Sequence, residues 1–288
     1  MPVTSASGEG SVSAARAPLN RAKLEQIGPH WLWRTEVLDE SPSTNAVVVA
    51  RARNGAPEGC VVVTEHQTAG RGRLDRAWET PARSALTFSA LLRPPAEIPA
   101  ERWPWLPLTA GVAVSIVLRT LGYRAGVKWP NDVLLQTPAG ERKVCGILVE
   151  RVETSDGPAA VVGIGLNTSL RADELPIATA TSLEIESGAR SDGAHSGAAA
   201  VDRTFVLLKL LAQLENAYGL WLAEPAKLAA AYERLSVTVG RDVRAELPGG
   251  NTLLGRAVRI DAAGRLVIAH DGGETAVGAG DVVHLRPA

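Results

Sequence analysis

The stretch from Arg142 to Leu166 constrains the fold most. Two apolar runs, Arg142 to Val152 and Ala159 to Leu166, are separated only by a turn containing Ser155-Asp156-Gly157-Pro158. So short a connection returns the chain antiparallel to itself, because a parallel partner needs a crossover of about a dozen residues or more. A further run, Gly126 to Trp129, precedes them, and Thr137-Pro138-Ala139-Gly140 supplies a second turn between. The pattern predicts an α+β fold: a mixed or antiparallel sheet with flanking helices, not alternating βαβ units.

The rest of the chain fits round this sheet. Trp31 to Leu38, Cys60 to Thr64 and Ser84 to Leu92 read as further strands, and Leu19 to Ile27 permits a short helix. Ser41-Pro42-Ser43-Thr44-Asn45 supplies cap residues to a short helix that Asn54-Gly55 ends. Trp105 to Leu121 is apolar on most faces and reads as a buried helix; Asp202 to Ala223 and Pro225 to Arg234 read as two more. From Val237 onward, short β runs are broken by Pro248-Gly249-Gly250-Asn251, Asp261-Ala262-Ala263-Gly264 and Asp271-Gly272-Gly273. This predicts a small β-barrel of about fifty residues. The expected organisation is a disordered tail over 1–18, a main domain over 19–236 with a flexible Gly/Ala/Ser-rich connection at 187–200, and a small β domain over 237–288.

Composition bounds the chemistry. With 30 Lys+Arg against 31 Asp+Glu the formal net charge is -1, without the basic excess of a protein that lives on nucleic acid. Only about forty residues precede Ser43, too few for a separate helix-turn-helix domain. Cys60 and Cys145 sit in apolar runs with no CxxC spacing, and the histidines lack metal-ligand spacing, so buried thiols and no structural zinc are expected. No apolar run suits a membrane span or a secretory signal, which predicts a cytoplasmic protein.

Four polar clusters interrupt the apolar elements. Gly70-Arg71-Gly72-Arg73 lies in a short span that runs on to Trp78; its glycines allow φ > 0 and its arginines carry planar donor forks suited to carboxylate and phosphate. Met alone, it would be a solvated turn. Lys128-Trp129-Pro130-Asn131-Asp132 sets a lysine, an amide and a carboxylate at a strand end, Lys143 and Gly146 open another strand, and Gly163-Ile164-Gly165-Leu166-Asn167 closes a third. Neither a dinucleotide fingerprint nor a P-loop is present: Thr168 stands where the former wants glycine, and GxxxxGK[ST] is missing.

In this order, Ser43-Thr44-Asn45, Gln67 to Arg73, Lys128 to Asp132, Lys143 to Glu150 and Gly163 to Asn167 resemble the biotin-protein ligase family, over roughly residues 35 to 286. The resemblance implies a class II synthetase-like catalytic domain followed by an SH3-like β-barrel, and looks like the branch without a DNA-binding domain. It implies an enzyme that uses ATP and biotin, with Mg²⁺, to form biotinyl-5′-adenylate and pass biotin to a lysine of a biotin carboxyl carrier protein domain. It further implies no DNA or membrane partner and a monomer or weak homodimer.

By the same resemblance Lys128, Arg71 and Arg73 are catalytic. Ser43, Thr44, Asn45, Gln67, Gly70, Arg71, Gly163 and Gly165 bind biotin, the two last leaving room for its rings. Arg73, Trp78, Lys128, Asn131 and Asn167 bind the nucleotide, with Trp78 against adenine. Metal ligands are not identified. Asp75 stands where the family often has glycine, a residue type that tolerates left-handed backbone. A lipoate or octanoate ligase of the same fold is second, since its Arg-Arg-x-Ser-Gly-Gly-Gly pattern is missing. A non-catalytic biotin-binding protein is third.

Overall fold

The computed structural model describes residues 16–26, 31–189, 201–247, 250–278 and 280–285. The expected tail up to residue 15 and the connection over 190–200 lie outside the described residues. Arg16 and Ala17, read as part of that tail, are docked: Arg16 donates to Ser169 O and pairs with Glu174, and Ala17 O accepts from Arg203.

Seven strands form the main sheet: β1 (Arg34–Ser41), β2 (Cys60–Gln67), β3 (Ala85–Leu92), β4 (Ala125–Lys128), β5 (Asp132–Thr137), β6 (Gly140–Thr154) and β7 (Gly157–Asn167), in the order β1-β2-β3-β7-β6-β5-β4. Only β1 and β2 run parallel; the other pairs are antiparallel. The crossover between β1 and β2 is helix α2 (Thr44–Arg53), capped by Ser43, whose hydroxyl accepts from Ala46 N. Before the sheet comes a short α1 (Arg21–Glu25); after β3 comes α3 (Trp105–Thr120), and after β7 α4 (Arg203–Ala223) and α5 (Pro225–Leu235).

The period of two along each strand divides the sheet into two faces. Val61, Val63, Leu86, Phe88, Ile147, Val162 and Ile164 face the large core with α3, α4 and α5, whereas Val62, Leu91, Val152, Ala159 and Val161 pack under α2 in a smaller cluster. By alternation, Thr87, Ser89, Gly146, Gly163 and Gly165 share the α2 face, where polar and small residues replace the apolar ones. α2 covers only part of that face. The cleft opens beyond its N-terminus.

Two elements differ from expectation. The first strand runs Arg34–Ser41, not Trp31 to Leu38: Trp33 is buried with its indole N–H on Leu211 O at 2.8 Å, anchoring the chain to α4, and pairing with β2 extends the strand to Ser41 opposite Gln67. Asp132–Thr137, to which the sequence pattern assigns no strand, is one, because its short Val133-Leu134-Leu135 run pairs with β4 and β6 on either side.

The C-terminal region forms β8 (Asp242–Glu246), β9 (Thr252–Ile260), β10 (Leu266–His270), β11 (Gly273–Val277) and β12 (Asp281–His284), an antiparallel sheet in the order β11-β10-β9-β8-β12. No ladder joins β11 to β12 among the described residues. No helix of the described residues is long and apolar enough to cross a membrane.

Candidate active site

A cavity of about 670 Å³ opens on the α2 face of the sheet. Its lining includes Ser43, Thr44, Asn45, Gln67, Arg71, Arg73, Trp78, Lys128, Asn131, Gly163, Gly165 and Asn167, which is every expected site residue except Gly70. β12 and the end of β8 contribute Asp281, Val282, Val283 and Glu246 from the C-terminal sheet.

One end of the cavity is a network of neutral polar groups. Thr44 N donates to Gln67 Oε1 at 3.0 Å, leaving the Gln67 amide nitrogen on the side of the loop. Ser89 Oγ lies 2.7 Å from Thr44 Oγ1 and 2.6 Å from Asn45 Oδ1, and Asn45 Nδ2 donates to Glu150 Oε2 at 2.6 Å. These groups hold one another in fixed orientations before any ligand arrives. Gly163 allows this: a Cβ there would stand 2.2 Å from Asn45 Oδ1.

The other end is cationic. Arg71, Arg73, Arg76, Lys128 and Lys143 line the cavity against the carboxylates Asp132, Asp281 and Glu246. Arg73 donates to Asn131 Oδ1 and to Gly280 O, each at 3.2 Å, and Arg76 pairs with Asp281. Burial lowers the Arg73 guanidinium below its ordinary pKa, against Asp281 and Asp132, with Arg76 adding to the lowering. Lys143 Nζ pairs with Asp132 at 2.6 Å. Lys128 makes no ion pair among the described residues. Burial lowers its pKa, Asp132, Asp281 and Glu141 oppose this, and Lys143 reinforces it. A half-desolvated cation without a fixed partner binds an incoming anion strongly.

The 70–78 loop is a tight hairpin: Trp78 N donates to Gly70 O at 2.9 Å and Gly72 N to Arg76 O at 2.6 Å. The expected φ > 0 at its glycines is not found. Gly72 has φ -104 and Gly70 is needed for close approach, since a Cβ would stand 2.2 Å from both Gln67 Nε2 and Trp78 O. The left-handed residue is Leu74, φ 54, next to Asp75 in a turn over Arg73–Asp75. The Trp78 ring lies on the sheet floor, where a Cβ on Gly165 would stand 2.5 Å from its Cε2 and one on Gly146 3.0 Å from its Cζ3. Its indole N–H is buried without a hydrogen-bond partner among the described residues.

Several sequence assignments thus acquire different surroundings. Gly163 and Gly165 clear Asn45 and Trp78 in this conformation, and the Asn131 amide is taken up by Arg73 and Ile147 O. Asn167 donates to Thr181 O at 3.0 Å and keeps a buried Oδ1 without a partner. Ser89 and the Lys143–Asp132 pair belong to the site as well, although no motif above assigns them a role. Ser89 carried a signal, a polar residue in an otherwise apolar strand; Gly280 and Asp281 carried none. Cys145 is buried and its thiol pKa is pushed far up by burial, so it is inert.

Fold and site together define a class, that of α+β domains joining a neutral polar reader and a cluster of cations in one cleft on the open face of a mixed sheet. A model of the biotin/lipoate A/B protein ligase family matches residues 37–167, and one of the biotin protein ligase C terminal domain matches 238–285. The chain is 38% identical to a biotin–acetyl-CoA-carboxylase ligase of Mycobacterium tuberculosis, over 94% of this chain and 97% of that one. It is 33% identical to the bifunctional ligase/repressor BirA of Bacillus spizizenii, over 85% of this chain and 71% of the relative. Its structure is similar to that of a biotin protein ligase from Aquifex aeolicus in complex with biotin and ATP, with TM-score 0.70, 28% identity and coverage of 88% and 99%. The chain belongs to the biotin protein ligase family.

Proposed function

We propose that this cleft joins biotin to a lysine of a carrier protein at the expense of ATP, with the neutral end holding the biotin ureido group and the cationic end the reacting anions. The observation that carries the reading is the apposition of the two ends: Thr44, Asn45 and Gln67 hydrogen-bonded at one, Arg71, Arg73 and Lys128 at the other.

In the first step a biotin carboxylate oxygen bonds to the α-phosphorus of ATP as the bond to the β-phosphate oxygen breaks, giving biotinyl-5′-adenylate and pyrophosphate. The carboxylate is ionised at neutral pH and needs no base. It needs cations, because an anion must approach a polyphosphate. Arg71 and Lys128 stand without ion-pair partners among the described residues for this purpose, while Asn131 and Gly280 O hold Arg73 in place. In the second step the carrier's neutral amine attacks the acyl carbon and AMP leaves. Mg²⁺ would arrive on the nucleotide: no group of three potential ligand side chains is found among the described residues, and no step above depends on a preformed cage.

The same reading has the chain acting in the cytoplasm as a monomer or weak homodimer, with a carrier domain and not DNA as its partner; the net charge of -1 supports the last point. The lipoate alternative is not favoured, since the relatives named above are biotin ligases. Biotin-dependent exchange between ATP and pyrophosphate tests the reading. Exchange with biotin and none with lipoate is expected; the reverse would overturn it.

A further inference from the structure

Lys128 is held from behind by the C-terminal region. The segment Ser236 to Thr238 runs beside β4, with Val237 N donating to Val127 O at 2.9 Å. On the other side of Lys128, Trp129 N donates to Thr238 Oγ1 at 3.1 Å and the Trp129 indole to Gly264 O at 3.0 Å. Gly126 lets the segment come so close, since a Cβ there would stand 2.5 Å from Val237 Cγ1. Both peptide neighbours of the lysine are therefore fixed by residues beyond α5.

Thr238 is itself held. Its Oγ1 lies 3.0 Å from His284 Nε2 on β12, and His284 Nδ1 lies 3.1 Å from Glu141 Oε2 at the start of β6, whose other oxygen accepts from Arg241 at 2.7 Å. A carboxylate can only accept, so Nδ1 carries the proton in the neutral ring, Nε2 accepts, and the Thr238 hydroxyl donates to it. Burial lowers the His284 pKa, against Glu141, with Lys128 and Arg241 adding to the lowering, which favours that neutral ring. Carboxylate, imidazole and hydroxyl in a row resemble a nucleophile triad. Here they cannot act as one, because Thr238 is 0% exposed and its oxygen already receives Trp129 N.

We infer that Glu141, His284 and Thr238 form a positioning chain through which the C-terminal sheet sets the backbone of Lys128 for adenylate formation. The inference rests on the role proposed above for Lys128. Without the Thr238 hydroxyl, Trp129 N loses its partner and the backbone on the lysine's C-terminal side is loosened, though the Trp129 indole stays on Gly264 O. A cation displaced by a fraction of an ångström from the reacting phosphate loses rate more than substrate affinity.

The test measures biotin-dependent ATP–pyrophosphate exchange and hydrogen exchange at the Trp129 amide in the full chain. Thr238→Val, close in shape but without the hydroxyl, is expected to lower kcat about tenfold with the biotin KM within about twofold, and to speed Trp129 exchange. His284→Ala should fall in the same direction, while Thr238→Ser and His284→Gln restore most of the rate. Ile268→Val, a core change elsewhere in the C-terminal sheet, should leave kcat alone. If Thr238→Val does not fold, the partly exposed His284→Ala decides. Wild-type kcat in Thr238→Val or His284→Ala, or an equal fall in Ile268→Val, overturns the inference and leaves the site reading standing. A full rate in Lys128→Ala overturns instead the reading on which it rests.

Discussion

The two ends of the cleft are built on opposite principles. At the α2 end each residue named is held by a protein hydrogen bond: Ser43 caps the helix, Gln67 receives Thr44 N, and Ser89 and Glu150 hold Asn45. At the cationic end Lys128 and Arg71 have no ion-pair partner among the described residues, and burial works against the Lys128 charge. A neutral ring is read by donors and acceptors already aimed. A reacting anion is stabilised by charge kept partly desolvated and uncommitted.

The largest expected effect comes from the charged end. Lys128→Ala should lower adenylate formation about 10²- to 10³-fold in kcat, measured by pyrophosphate exchange. The cation is lost as pH rises through the Lys128 pKa, and burial lowers that pKa, so kcat should fall on an alkaline limb below the ordinary lysine range. Lys128→Arg should move that limb upward; an unmoved limb would assign it to another group.

The neutral end should fail differently. Ser89→Ala leaves Asn45 Oδ1 without its buried partner, which costs about 1–2 kcal/mol and so raises the biotin KM about tenfold with kcat little changed. A fall in kcat alone would erase the contrast between the two ends. The smallest effect is expected at Arg76, whose side chain is 65% exposed and pairs with Asp281 at the loop's edge. Exposed pairs are worth roughly 0–1 kcal/mol and are screened by salt, so Arg76→Ala should change kcat/KM by less than about fivefold, and less still at high salt.

Much of the molecule was legible because local physics dictated it. The short turn at Ser155 to Pro158 required antiparallel pairing, and the cap residues of Ser41 to Asn45 with Asn54-Gly55 bracketed α2. The cavity gathers residues that the motifs named, from Ser43 to Asn167, since the start of α2, the loop after β2, the end of β4 and the small residues of β6 and β7 border one face. Strand β5 was not legible: a run of three apolar residues is too short to signal a strand until neighbours pair with it. Nor were the glycine roles in the loop, where the need is contact with Gln67 and Trp78 and not a positive φ.

By itself, then, the sequence determined most of the elements and which side chains carry charge or donors, because periodicity, caps and turns act over a few residues. Only the tertiary structure decided what stands behind them. The buried Glu65–Arg203 pair that anchors the N-terminal segment joins residues far apart in the chain, as does the link from Glu141 through His284 to Thr238. Such contacts depend on two surfaces meeting, and no local pattern encodes where a distant surface will lie.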